Sequence, residues 1–257
     1  MSGVLDASAV SESRPSTTPE GQKNPLRKEI THNALIRAHG IAAFTMLLLA
    51  VTFGIVASLQ FFLPEATSAI ASWGRLRFAH TQGNMLVWQG NAFLAFLHLA
   101  VPTLSGRPVI SEKLGWFLFG LWNFGVLLPG WFLVLNGYSQ PLEWAEFPLL
   151  VDAAMIGGLI LAAIQFLPPF FKRGFENLYV SSWYIIGGLI FSLMSFPMGN
   201  IITEFIPDAA GAAFSGLWIH DAIGSFVTPM ALAILYSVIP ASTGRPIFSH
   251  FLSMIGF

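Results

Sequence analysis

Cysteine is absent from this chain of 257 residues, which excludes disulfides, thiolate zinc sites, iron-sulfur clusters and thioether-attached heme. Any metal must therefore be held by nitrogen or oxygen. Charge is scarce as well: Asp, Glu, Lys and Arg make up 10% of the residues, against roughly 25% in soluble domains. Neither sign dominates, with 12 basic and 13 acidic side chains and a net charge of -1, so there is no electrostatic case for a nucleic-acid partner. The chain lacks a phosphate loop, a dinucleotide fingerprint and a nucleophile elbow, which leaves no support for soluble enzyme chemistry. No repeat of roughly 20–50 residues and no inverted half stands out, which argues against a repeat-built transporter.

What the chain does have is apolar length, with 54% hydrophobic residues including 24 Phe and 8 Trp. A bilayer crossing takes about 20 apolar residues. Runs of that order lie at 36–63, 81–104, 114–135, 147–167, 180–202 and 216–239. They predict an all-α membrane protein of about six transmembrane helices. A seventh apolar run, 248–257, is too short to cross, and the chain reads as ending inside a helix. Residues 1–33, rich in Ser, Thr, Pro and charge and without the apolar core of a signal peptide, read as a disordered cytoplasmic tail. Residues 34–257 read as one transmembrane domain. Arg14, Lys23, Arg27, Lys28, Arg37, Arg107, Lys113, Lys172, Arg173 and Arg245 fall in the tail and the even-numbered loops. The odd-numbered loops hold only Arg75 and Arg77 as basic residues, and carry Glu65, Glu143, Glu146, Glu204 and Asp208. Basic residues near helix ends stay in the cytoplasm, so the amino terminus is predicted cytoplasmic and the odd loops extracytoplasmic.

Ionisable residues inside a bilayer are functional suspects. His80 opens the second run and His220 the sixth; both helices run inward from the odd-loop side, so the two imidazoles are expected at similar depth. At 100° per residue, Asn84, Val87 and Asn91 fall on the His80 face, flanked by Gly83 and Gly90. Small and amide residues at this interval suit a flat macrocycle, and they suit helix packing slightly better. His98 returns to the same face about 27 Å from His80, too far to share one iron, and reads as interfacial. His39, beside Arg37, also reads as interfacial, while His32 and His250 fall in tail and loop. On the sixth helix, Gly224, Val227 and Ala231 leave a small-residue surface around His220. Beside it Asp221, Ser225 and Thr228 align as a polar stripe, suited to guiding water or to bonding neighbouring helices. Asp152 is a further buried-carboxylate candidate, with no partner legible in the sequence.

The run GRLRFAHTQGNMLVWQGNAFL over residues 74–94 resembles the second-helix signature of the cbb-type cytochrome c oxidase catalytic subunit, a heme-copper oxidase, in which Arg-Leu-Arg precedes a His-Thr pair. The run GLWIHDAIGSFVTPMALAILYSVIPASTGRPIFSHFLSMIGF is similar to that family's sixth helix and following loop, and a looser similarity extends over 38–257. The resemblance implies that His80 is an axial ligand of a low-spin heme b, that Arg75 and Arg77 lie near its propionates, and that His220 is the first histidine ligand of the active-site copper. Neutral imidazole suits both metals. The family has Gly before and Asn after that copper ligand, where this chain has Ile219 and Asp221; a carboxylate there changes local charge and proton affinity. About twelve helices are usual in the family. The chain therefore reads as the amino-terminal half of that bundle, a fragment or one piece of a split gene. The other copper histidines, the redox-active tyrosine, the proximal ligand of the high-spin heme and the second ligand of heme b are expected beyond residue 257. A bacterial inner membrane, the missing half or other oxidase subunits, and a c-type cytochrome as donor follow from the same resemblance. Two rival readings are a nitric oxide reductase catalytic subunit, for which Asp221 stands in weakly for a glutamate, and a non-catalytic membrane subunit that has lost its redox centres.

Overall fold

A computed structural model describes residues 30–65, 71–176 and 178–257. The tail expected over 1–33 lies outside the described residues apart from 30–33. Six helices long and apolar enough to cross a membrane follow one another: α1 Asn33–Leu59, α2 Trp73–Ser105, α3 Glu112–Leu135, α4 Leu149–Arg173, α5 Val180–Phe205 and α6 Asp208–Thr243. A short α7, His250–Ile255, ends the chain, with Phe248 and Phe251 exposed. Among the described residues there is no strand. The ends carry local signals. Ser111 and Ser249 accept from the backbone N–H groups of Leu114 and Leu252 at the starts of α3 and α7. Gly106 and Gly244 close α2 and α6 in the left-handed conformation, with φ of 68° and 65°.

Two boundaries differ from the sequence expectation. α2 begins at Trp73 and α6 at Asp208, each about two turns earlier than its apolar run. An apolar run measures the hydrocarbon thickness, whereas a helix continues through the polar interface on either side. His80 and His220 thus lie within their helices and do not open them.

The helices are also not uniformly α. Gly83–Trp88 in α2, Leu121–Leu127 in α3, Met198–Ile202 in α5 and Ala222–Val227 in α6 are π-helical. A π turn holds more residues than an α turn and rotates the following face. The predicted shared face of His80, Asn84, Val87 and Asn91 breaks for this reason. Asn84 stays beside His80, while Val87 and Asn91 turn into the core and are fully buried.

Sequence neighbours pack side by side, α1 on α2, α3 on α4, α4 on α5 and α5 on α6, and α2 meets α6 through an edge-to-face contact of Phe93 with Phe226 at 5.4 Å. α2 runs through the core. Its two flanking glycines serve close packing: a Cβ at Gly83 would lie 2.6 Å from the Trp131 ring, and one at Gly90 2.7 Å from Trp122. The Trp131 indole N–H donates to the Ala79 carbonyl at 2.9 Å, which pins α3 against α2 at the residue just before His80.

Candidate functional site

His80 is part-buried and leans on α1. Its Nδ1 lies 2.8 Å from the Ala50 carbonyl. A carbonyl only accepts, so Nδ1 carries the hydrogen and Nε2 keeps its lone pair. The Asn84 amide, 3.1 Å from Nδ1, donates instead to the His80 carbonyl at 2.9 Å. The ring fits because α1 has no side chain where it passes: a Cβ at Gly54 would lie 2.5 Å from His80 Nδ1. On one side of the ring an open groove of about 500 Å³ runs between α1 and α2, lined by Val51, Gly54, Ile55, Phe62, Trp73 and Arg77. On the other side a groove of about 230 Å³ is lined by Thr81, Asn84, Gln89, Trp144 and Ile223 of α6.

The two arginines separate. Arg77 lines the larger groove with His80, lies over the Phe78 ring at 4.9 Å and pairs with Glu143 at 3.4 Å. Arg75 points the other way: its guanidinium reaches the Leu135 carbonyl at 3.5 Å and covers Gly137.

His220 is exposed, and Gly224 one turn on leaves open space beside it, with a Cβ there 3.7 Å from Nε2. Its level in the bundle follows from its neighbours. Trp218 donates its indole N–H to the Trp144 carbonyl at 3.0 Å, and Ile223 and Trp144 both line the smaller His80 groove. His80 and the turn that holds His220 therefore border the same loop. Ser225 donates to Asp221 at 3.4 Å, while Thr228 is exposed, so the expected stripe holds over its first two members. Among the described residues no three His, Asp or Glu side chains gather as a metal site; the chain brings one imidazole to each position.

A buried polar cluster next to His80 was not legible as a unit. Glu146, counted in the sequence among the odd-loop acids, is 0% exposed. The Gln82 side-chain amide donates to one of its oxygens, and the Thr81 hydroxyl to the other at 3.3 Å. Burial raises the Glu146 pKa above the ordinary carboxylate value, partly offset by Gln82, backbone N–H groups and the Arg77 charge. Asp152 does have a partner: Gln140 donates to it at 2.7 Å, and to the Phe147 carbonyl at 2.7 Å. The loop bends there through Trp144, whose φ of 62° is strained for a bulky residue. No spacing rule links residues 82, 140, 146 and 152; only the loop's fold gathers them.

His39 and His98 face inward, which the sequence reading did not foresee. Both were expected at the interface, and both are 0% exposed. α1 packs on α2 there, and the two ring centroids lie 5.7 Å apart.

Residues 34–257 match the family described as Cytochrome C and Quinol oxidase polypeptide I. The chain is 27% identical over 252 residues to the cytochrome c oxidase subunit 1 of Rhodobacter capsulatus, covering 92% of this chain and 47% of that protein. It is 27% identical over 195 residues to the Cbb3-type cytochrome c oxidase subunit CcoN1 of Stutzerimonas stutzeri, covering 72% and 41%. A cytochrome c oxidase subunit 1 homolog of Agrobacterium tumefaciens is 27% identical over 215 residues, covering 79% and 40%. The chain thus spans about half the length, or less, of the curated relatives it matches.

Proposed function

The chain belongs to the cytochrome c and quinol oxidase polypeptide I family, and from that premise we propose that it forms the amino-terminal part of a terminal oxidase catalytic subunit in which His80 ligates the iron of a heme b. One observation carries this reading: Nδ1 of His80 is committed to the Ala50 carbonyl, so Nε2 is the available ligand atom, oriented by a backbone acceptor as metal-binding histidines usually are. The surroundings suit a flat macrocycle. Gly54 leaves room beside the ring, Trp73 and Phe62 present exposed aromatic surface, and Arg77 supplies a cation for a propionate. Arg75 lies on the far side, where it steadies the start of the third loop.

His220 offers one imidazole to an active-site copper, with Asp221 and Ser225 beside it as a carboxylate and hydroxyl that hold a proton or a water. Such a heme and copper supply electron transfer and oxygen reduction when bound; this chain's residues orient the first heme ligand and present His220 beside the same loop. The whole assembly would sit in a bacterial inner membrane with the amino terminus cytoplasmic. It would draw on a c-type cytochrome for electrons and on the remainder of the subunit for the other ligands.

The test co-expresses the chain with the carboxyl-terminal half of a relative and compares His80→Ala with the parent by reduced-minus-oxidised spectra. Loss of the low-spin b-type signal is expected. A full signal in the variant would remove His80 from the mechanism, and absence of heme from the parent would favour a non-catalytic subunit.

A further inference from the structure

The turn at Trp144 is held partly from outside its own loop. A bulky side chain at a φ of 62° persists only where its neighbours over-determine the backbone. Within the loop, the Gln140 N–H donates to the Glu146 carbonyl at 3.1 Å and the Ala145 N–H to the Leu142 carbonyl at 3.2 Å. The Trp144 carbonyl is taken by a different element, the Trp218 indole N–H of α6, at 3.0 Å. Trp218 has no room to swing away. It is buried, stands edge-to-face on Phe196 at 5.2 Å, and lies where α5 has no side chain, since a Cβ on Gly199 would overlap it.

Two features depend on that turn. The Trp144 and Glu146 backbone N–H groups both bond the Glu146 carboxyl, which also accepts from Thr81 and Gln82 on α2, the two residues that follow His80. The Trp144 side chain walls the smaller groove together with His80, Asn84 and Ile223. One donor on α6 thus fixes both the groove wall and the carboxyl next to His80. That donor lies two residues before His220, so the helix that presents one imidazole also sets the surroundings of the other.

We propose that Trp218 is a positioning residue of the His80 site: its indole N–H latches the third loop in the left-handed turn, which keeps Trp144 at the groove and Glu146 against α2. The effect on a heme iron rests on the reading of His80 given above; the latch itself does not.

Hydrogen–deuterium exchange of the full chain in lipid nanodiscs tests the latch. Trp218→Phe keeps a ring against Phe196 and loses the donor; exchange over residues 138–147 should rise several-fold while that of 184–196 in α5 stays unchanged. Adding Trp144→Gly should bring protection back, because glycine adopts this turn without help, and the double variant should fold even if the single one does not. In the assembly with the carboxyl-terminal half of a relative, the midpoint potential of the low-spin b-type signal should shift in Trp218→Phe at unchanged amplitude. Unaltered exchange over 138–147 in folded Trp218→Phe would overturn the latch, as would a double variant that stays unprotected or fails to fold. Raised exchange with an unmoved potential would overturn the positioning role. A parent assembly without heme would sink the heme reading, and the exchange result would still decide the latch.

Discussion

A single missing side chain decides whether His80 can face the α1–α2 groove. A Cβ on residue 54 would stand 2.5 Å from the imidazole, closer than any relaxed contact, so Gly54→Val should push the ring off the Ala50 carbonyl and abolish the low-spin heme signal while the helices persist. Circular dichroism alongside reduced-minus-oxidised spectra checks this, and a normal spectrum in the variant would show that the iron ligand lies elsewhere. Glu146 gives a pH signature. Its pKa is raised in the fold by burial, so the folded state holds the proton more tightly than the unfolded chain. The associated stability is fully present below the ordinary carboxylate value of about 4.3 and is lost as pH rises through the raised value. Unfolding in bicelles should therefore grow easier over that rise, and Glu146→Gln should flatten the dependence; equal slopes in both proteins would refute it. His80 could be singled out as a candidate from its type and setting. Gly54 and Glu146 were not, because one looks like any glycine in an apolar run and the other like any loop acid.

At the level of the helix, the apolar runs foretold all six crossings because a bilayer demands about 20 apolar residues whatever the fold. They could not foretell register. The π segment Gly83–Trp88 depends on how α2 settles against the indoles of Trp122 and Trp131, a tertiary matter, and it sends Asn91 inward to His39 and Asn123. His39 and His98 were read as interfacial from their depth along the helices; that both rings turn into the bundle depends on how α1 packs on α2, which depth alone does not show. Asn91→Ala removes the bonds to His39 and Asn123 and should cost about 1–3 kcal/mol for each buried group left unpaired. Unfolding measurements on the variant check this. If Asn91→Ala is neutral, the buried network contributes nothing to the fold.

Across the whole molecule, the candidate chemistry stands at one end and is half-equipped. His80 and His220 border the same loop, α2 touches α6, and each position has a single imidazole from this chain. Axial heme ligation of the low-spin kind takes two protein ligands, and a redox copper takes more than one histidine. The relatives supply length that this chain does not span, since it covers 47% of one and 41% of another. Exposed apolar side chains such as Phe44, Phe132 and Phe205 suit lipid, but the exposed His220 has no comparable reason to face hydrocarbon. The chain purified alone should therefore associate non-specifically in detergent and consume no oxygen with reduced cytochrome c. Supplying the carboxyl-terminal half of a relative in trans should give a monodisperse species with a b-type spectrum. Size-exclusion chromatography and an oxygen electrode read the two outcomes separately. A stable, monodisperse chain that reduces oxygen unaided would require a complete ligand set within these 257 residues, contrary to the one-imidazole geometry at both centres.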